Sequence, residues 1–78
     1  MAADQIKVRV TGKGPLKRYV AGEDIVIPHG STVSMLVSRC RIPVEHRVIC
    51  MKDGKRISPA MELHNGDQII LISMLSGG

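Results

Sequence analysis

Leu63-His64-Asn65-Gly66-Asp67-Gln68-Ile69-Ile70-Leu71-Ile72-Ser73-Met74-Leu75-Ser76-Gly77-Gly78 is the last stretch of the sequence, and its reading decides the fold. Asn65-Gly66-Asp67 is a tight turn, because short polar side chains and glycine accept the backbone angles a turn requires. Gln68 to Ser73 is dominated by isoleucine and leucine and reads as a β-strand. After it come Met74-Leu75-Ser76 and then two glycines. A Gly-Gly stalk carries a bare main-chain carboxylate, takes angles closed to other residues, and threads channels that any Cβ would block. Chance puts glycine in both last places in about 0.5% of unrelated chains. That is too rare to ignore and too common to decide the matter alone.

Working back from this strand, Val48-Ile49-Cys50-Met51 is an unbroken apolar run, as expected of a strand covered on both faces. Asp53-Gly54 is a hairpin-type turn, Arg56-Ile57-Ser58 returns briefly, and Met61 and Leu63 are expected to be buried. Ahead of these, Ser31 or Thr32 can cap a helix by accepting from the free amides of its first turn. Val33, Leu36, Val37 and Cys40 then share one helical face, while Ser34, Ser38, Arg39 and Arg41 point elsewhere. Arg39 and Arg41 suit the negative end of the helix dipole, and Pro43 is expected to end the helix. At the start, Ile6, Val8 and Val10 alternate with Lys7 and Arg9, the period of a half-buried strand. Thr11-Gly12-Lys13-Gly14-Pro15 breaks it as a turn or loop. A second extended stretch lies between Leu16 and Ile27, with Gly22 either a bulge or a break between two short strands.

The chain has 78 residues, room for one domain near the size where a single core just suffices. Tyr19 is its only aromatic residue, so the core must be aliphatic. That lack also disfavours single-stranded nucleic acid as a partner, since such binders stack bases on rings. The net charge is +4. Lys7, Arg9, Lys13, Lys17 and Arg18 crowd the first quarter, and Lys52, Lys55 and Arg56 surround a turn. Such charges either solvate a surface or steer the chain towards an acidic partner. Met1-Ala2-Ala3-Asp4-Gln5 is no secretory signal, and no segment has the length of a membrane span, so a cytoplasmic protein with no membrane partner is expected. Cys40 and Cys50 lie inside apolar patterns and read as reduced core thiols. His29, His46 and His64 are too scattered to form a metal ligand set, and no catalytic constellation or phosphate-binding loop is present.

Two strands, one helix and three strand-like pieces give an α+β architecture. One main helix packs across one face of a mixed sheet of about four to five strands, the β-grasp arrangement of ubiquitin. Residues 1–73 are expected to form this single domain, and 74–78 a flexible tail. Three segments resemble sulfur carriers of the ThiS/MoaD type. Val26-Ile27-Pro28-His29-Gly30-Ser31-Thr32-Val33 is similar to their strand end and Thr-Val helix start. Met51-Lys52-Asp53-Gly54-Lys55-Arg56-Ile57-Ser58-Pro59 is similar to their small turn, short strand and proline. Leu63 to Leu71 is similar to their leucine, Gly-Asp and apolar strand. The basic stretch from Lys7 to Arg18 is longer than in short ThiS chains, and the aromatic residue that several members carry before the tail is missing.

The resemblance implies a protein that is not itself an enzyme and holds no permanent cofactor. Gly78 would be adenylated with ATP by a ubiquitin-activating-type enzyme and receive sulfur from a persulfide donor. Gly77 would provide the passage, and Met74, Leu75 and Ser76 would settle in a partner's groove, unless Met74 and Leu75 simply finish the last strand. The sulfur would pass to a thiazole synthase for thiamine, the first choice from the tail spacing, or to the large subunit of molybdopterin synthase, in molybdenum or tungsten cofactor assembly. Two other classes fit the same residues: a ubiquitin-like modifier joined to lysines, and an RNA-binding β-grasp module of the TGS type.

Overall fold

Residues 4–43 and 46–74 are described by a computed structural model. Within them the order is β1 (Gln5–Gly12), a 3-10 helix (Gly14–Arg18), β2 (Ala21–Pro28), α1 (Val33–Arg39), β3 (Val48–Lys52), β4 (Lys55–Arg56) and β5 (Gln68–Ser73). The strands form one mixed sheet in the order β2-β1-β5-β3-β4. β1 and β5 run parallel at its centre, and the other pairs are antiparallel. No helix among the described residues is long and apolar enough to cross a membrane.

The alternation in β1 places Ile6, Val8 and Val10 inside and Gln5, Lys7 and Arg9 outside. Ile69 and Leu71 of β5, Ile27 of β2 and Cys50 of β3 join them, and α1 adds Val33 and Leu36. Leu16, Val20 and Leu63 close the ends of this aliphatic core. The loop expected after β1 begins a 3-10 helix, which sets Leu16 into the core. Gly12 permits that turn. A Cβ there would stand 2.6 Å from the Leu16 carbonyl oxygen and 2.8 Å from that of Val20. Both obstacles are backbone, so Gly12→Ala should cost about 1–3 kcal/mol. Urea unfolding should show a lower midpoint with an unchanged slope, and an unmoved midpoint would contradict the close approach.

Gly22 is a bulge. Val10 faces Glu23 and Thr11 faces Ala21, which leaves Gly22 as the extra residue of β2 at a φ of +84°. Thr32, not Ser31, caps α1: the Met35 amide donates to its Oγ1 at 3.3 Å. Ser31 is buried and donates instead to the Pro28 carbonyl at 2.6 Å. The helix is shorter than its pattern suggested. The Cys40 and Arg41 amides donate to the Val37 and Ser38 carbonyls, and Arg41 takes a left-handed φ of +54°. A left-handed residue just past the last turn redirects the chain. Pro43 therefore lies beyond the end already made, and Arg41 is not on the helix.

The expectation that β3 is covered on both faces is also corrected. Cys50 alone of its residues is buried, because α1 covers one side of the sheet only. The turn before β5 holds it to β1. Asn65 Oδ1 accepts from the Lys7 amide at 2.9 Å, and the Asp67 carbonyl accepts from the Arg9 amide at 2.8 Å. The Asp67 carboxylate accepts from the His64 amide at 2.8 Å and meets Lys52 Nζ at 3.1 Å.

Burial would raise the Asp67 pKa, but the His64 amide and the Lys52 ammonium, with the His64 charge, outweigh it and hold the group below its ordinary value. Folding thus lowers this pKa, so the stabilisation is present above about pH 4 and lost as the pH falls through the folded value. Asp67→Asn should cost about 1–2 kcal/mol at neutral pH. Wild type and variant should converge in unfolding experiments as the pH is lowered through the folded-state value; a gap of constant size would show that the carboxylate is not the cause.

Candidate functional site

β5 ends at a braced point. Ser73, the last residue of β5, is buried. Its hydroxyl donates to the His46 carbonyl at 3.0 Å and lies 3.3 Å from His46 Nδ1. Two contacts thus join Ser73 to His46, a clasp at the end of β5. The Met74 amide donates to the carbonyls of His46 (3.0 Å) and Arg47 (3.2 Å), which extends the β3–β5 pairing one step. Tyr19 meets His46 in an edge-type ring contact, with centroids 5.7 Å apart, and Arg18 Cζ lies 6.0 Å from the Tyr19 ring centre.

Of the residues expected at the site, Met74 is described, and it is 58% exposed. It does not finish the core. Leu75, Ser76, Gly77 and Gly78 lie outside the described residues. Sequence reasoning missed the brace built from Tyr19, His46 and Ser73. Three unlike residues from distant parts of the chain carry no periodic signal, and only the β3–β5 register brings two of them together.

An apolar surface leads to this point. On the sheet face away from α1, Ile49 pairs with Ile72 and Met51 with Ile70. Ile72 is 37% exposed, and Ile49, Met51 and Ile70 are partly exposed. Arg9, one strand away beside Gln68, and Arg56, opposite Met51, border the patch with positive charge. Near the tail root, Lys13 donates its amide to the Leu71 carbonyl at 2.9 Å. A polar surface would suffice for a sheet that only folds. Adjacent isoleucines with basic borders suit contact with a partner that is apolar at its centre and acidic at its rim.

The thiols take no part in this surface. Burial, and secondarily Glu23, raises the Cys40 pKa. Burial, with Cys40 nearby, pushes Cys50 up to about 11. Both are free and remain protonated near neutral pH, so neither offers the thiolate that nucleophilic sulfur chemistry requires.

The five-stranded sheet with β1 and β5 parallel at its centre and one helix on one face is the ubiquitin-like β-grasp fold. No protein family's sequence profile matches the chain, and no curated protein matches it in sequence. Its likeness is to solved structures. SAMP1 from Haloferax volcanii superposes with a TM-score of 0.73 at 14% identity, over 92% of this chain and 99% of that one. The putative molybdopterin converting factor, subunit 1, from Pyrococcus furiosus has a TM-score of 0.73 at 20% identity, over 87% and 97%. Caldiarchaeum subterraneum ubiquitin has a TM-score of 0.69 at 13% identity, over 95% and 99%. At these identities the likeness establishes the fold, and it agrees with the ThiS/MoaD-type resemblance of the sequence.

Proposed function

We propose that this protein is a sulfur carrier, the co-substrate of an adenylating enzyme and not an enzyme itself. The observation that carries the reading is the Gly77-Gly78 pair placed just past β5 of a ubiquitin-like β-grasp. A free α-carboxylate has a reference pKa of about 3.5 and is ionised at neutral pH, which makes it a poor acceptor for sulfur. Its oxygen would attack the α-phosphate of ATP, releasing pyrophosphate and forming an acyl-adenylate. A partner's persulfide would then displace AMP, and a second partner thiol would cleave the resulting acyl disulfide. That leaves a thiocarboxylate on Gly78 and a disulfide on the partner. Preorganised donors for the transition-state charge would come from the adenylating enzyme.

The protein's own share is presentation. The His46–Ser73 clasp fixes the root, and the patch of Ile49, Met51, Ile70 and Ile72, continued by Met74, docks the partner. Leu75 and Ser76 would lie in the partner's groove. Thiazole formation for thiamine is supported by the tail spacing, and molybdopterin or tungsten-cofactor sulfuration by the likeness to the converting factor subunit. Supplying the sulfurated protein to each synthase separately should yield product with one of them only.

A second reading, attachment to protein lysines, is favoured by the likeness to an archaeal ubiquitin. Gly77-Gly78 remnants on lysines of cellular proteins would support it, and their absence under expressing conditions would count against it. RNA binding of the TGS type has less support. Tyr19 is the one Phe, Tyr or Trp in the chain, and its ring is already in contact with His46.

A further inference from the structure

An open cleft of about 400 Å³ lies between the end of α1 and the start of β3, on the opposite side of the sheet from the isoleucine patch. Val37, Ile42, Pro43 and Val48 give it apolar walls, and Arg41 and Arg47 flank it. Both arginines are exposed and both adopt left-handed backbone, with φ of +54° and +48°. Residues other than glycine seldom do so. Among the described residues neither arginine has an ion-pair partner. The two pairs formed are Arg9–Asp24 and Lys52–Asp67, and the described walls of the cleft include no acid.

The cleft is also tied to the tail. Arg47 lends its carbonyl to the Met74 amide, so one flank of the cleft is bonded to the first residue after β5.

We propose that this cleft is a docking socket for an acidic segment of the protein that engages the tail, with one apolar side chain of that segment seated between Arg41 and Arg47. Two guanidinium groups without an ion-pair partner among the described residues, at the borders of an apolar hollow, select carboxylates flanking an aliphatic anchor. A lone phosphate would leave the apolar walls without contact, and single-stranded RNA would find no ring to stack on. Contact here and on the isoleucine patch would grip the domain from both faces of β3, holding the tail root against rotation. The identity of the partner as an adenylating enzyme rests on the carrier reading; the chemistry of the socket does not.

The test is a titration of the isotope-labelled protein with a short synthetic peptide carrying one leucine among aspartates and glutamates. Amide shifts should cluster at Val37, Ser38, Arg41, Ile42, Arg47 and Val48, and weaken as salt is added. Arg41→Asn together with Arg47→Asn removes the charge while keeping a residue type that tolerates left-handed backbone. Affinity should fall roughly fivefold or more, whereas Lys7→Gln with Lys17→Gln, the same charge loss at exposed positions elsewhere, should leave it unchanged.

Shifts spread over every basic surface would overturn the proposal. So would equal binding of a peptide whose acids are replaced by lysines, or equal shifts at these amides with single-stranded RNA. The peptide arms need only the wild-type protein, so they decide the matter even where the double variant fails to fold. If the peptide binds as expected while Gly78 is never modified by an adenylating enzyme, the carrier reading fails and the socket stands. If Gly78 is modified and the peptide never binds, the reverse holds.

Discussion

Removing Gly77 and Gly78 should lower adenylation of the terminus by about a hundredfold or more. Two residues of extended chain span about 7 Å. Reacting atoms must approach within about 3–3.5 Å, and misplacement by about 1 Å already costs on the order of a hundredfold. A carboxylate withdrawn by the length of two residues cannot reach the α-phosphate, however well the domain docks. The fold should not suffer, because the buried core ends at Leu71 on β5. The truncated chain should therefore melt within a degree or so of the intact one, a shift well below about 1 kcal/mol. Pyrophosphate exchange catalysed by the adenylating enzyme should drop to background. Exchange at the full rate from the truncated chain would place the reactive group elsewhere.

Leu36→Ala should cost about 2–5 kcal/mol. Leu36 is completely buried and is one of the two α1 residues fully inside the core, with Val33. The chain has no Phe or Trp, so the core around it is built of aliphatic side chains and Cys50, with no large ring to fill the space left behind. A domain of this length holds roughly 4–12 kcal/mol in all. The variant should lose a third or more of that and unfold at markedly lower urea, measured by circular dichroism with the wild type alongside. A loss under about 1 kcal/mol would mean that α1 does not close the core as described.

The strands were legible where one physical signal dominated. The alternation from Ile6 to Val10 gave both the strand and its inner face, and Asn65-Gly66-Asp67 marked the start of β5 because few sequences other than a turn use those residues together. The helix start was legible as a choice between two hydroxyls; only geometry shows that Ser31 spends its proton on Pro28 and leaves Thr32 as the cap. The helix end was misread. Proline is a visible stop signal, whereas a left-handed arginine looks like any other arginine in a sequence. The run from Val48 to Met51 misled for a related reason. Hydrophobicity reports that a residue prefers to leave water, not whether its cover is this protein's helix or another molecule.

That ambiguity bears on the site. Ile49 and Met51 look like core residues in the sequence and stand on an open face in the structure. The reading of the tail came from the sequence alone, because Gly-Gly has few physical uses, and Gly77 and Gly78 lie outside the described residues. The His46–Ser73 clasp at the end of β5, with Tyr19 beside it, depends on register between β3 and β5 and could not be read from spacing.

The most direct test of the account is the intact mass of the protein after incubation with ATP, a persulfide donor and a matching adenylating enzyme. The account predicts a gain corresponding to one oxygen replaced by sulfur, mapping to Gly78 in the C-terminal peptide and absent when ATP is omitted. An unchanged mass, in a mixture that fully converts a proven carrier by the same donor with its own enzyme, would contradict it.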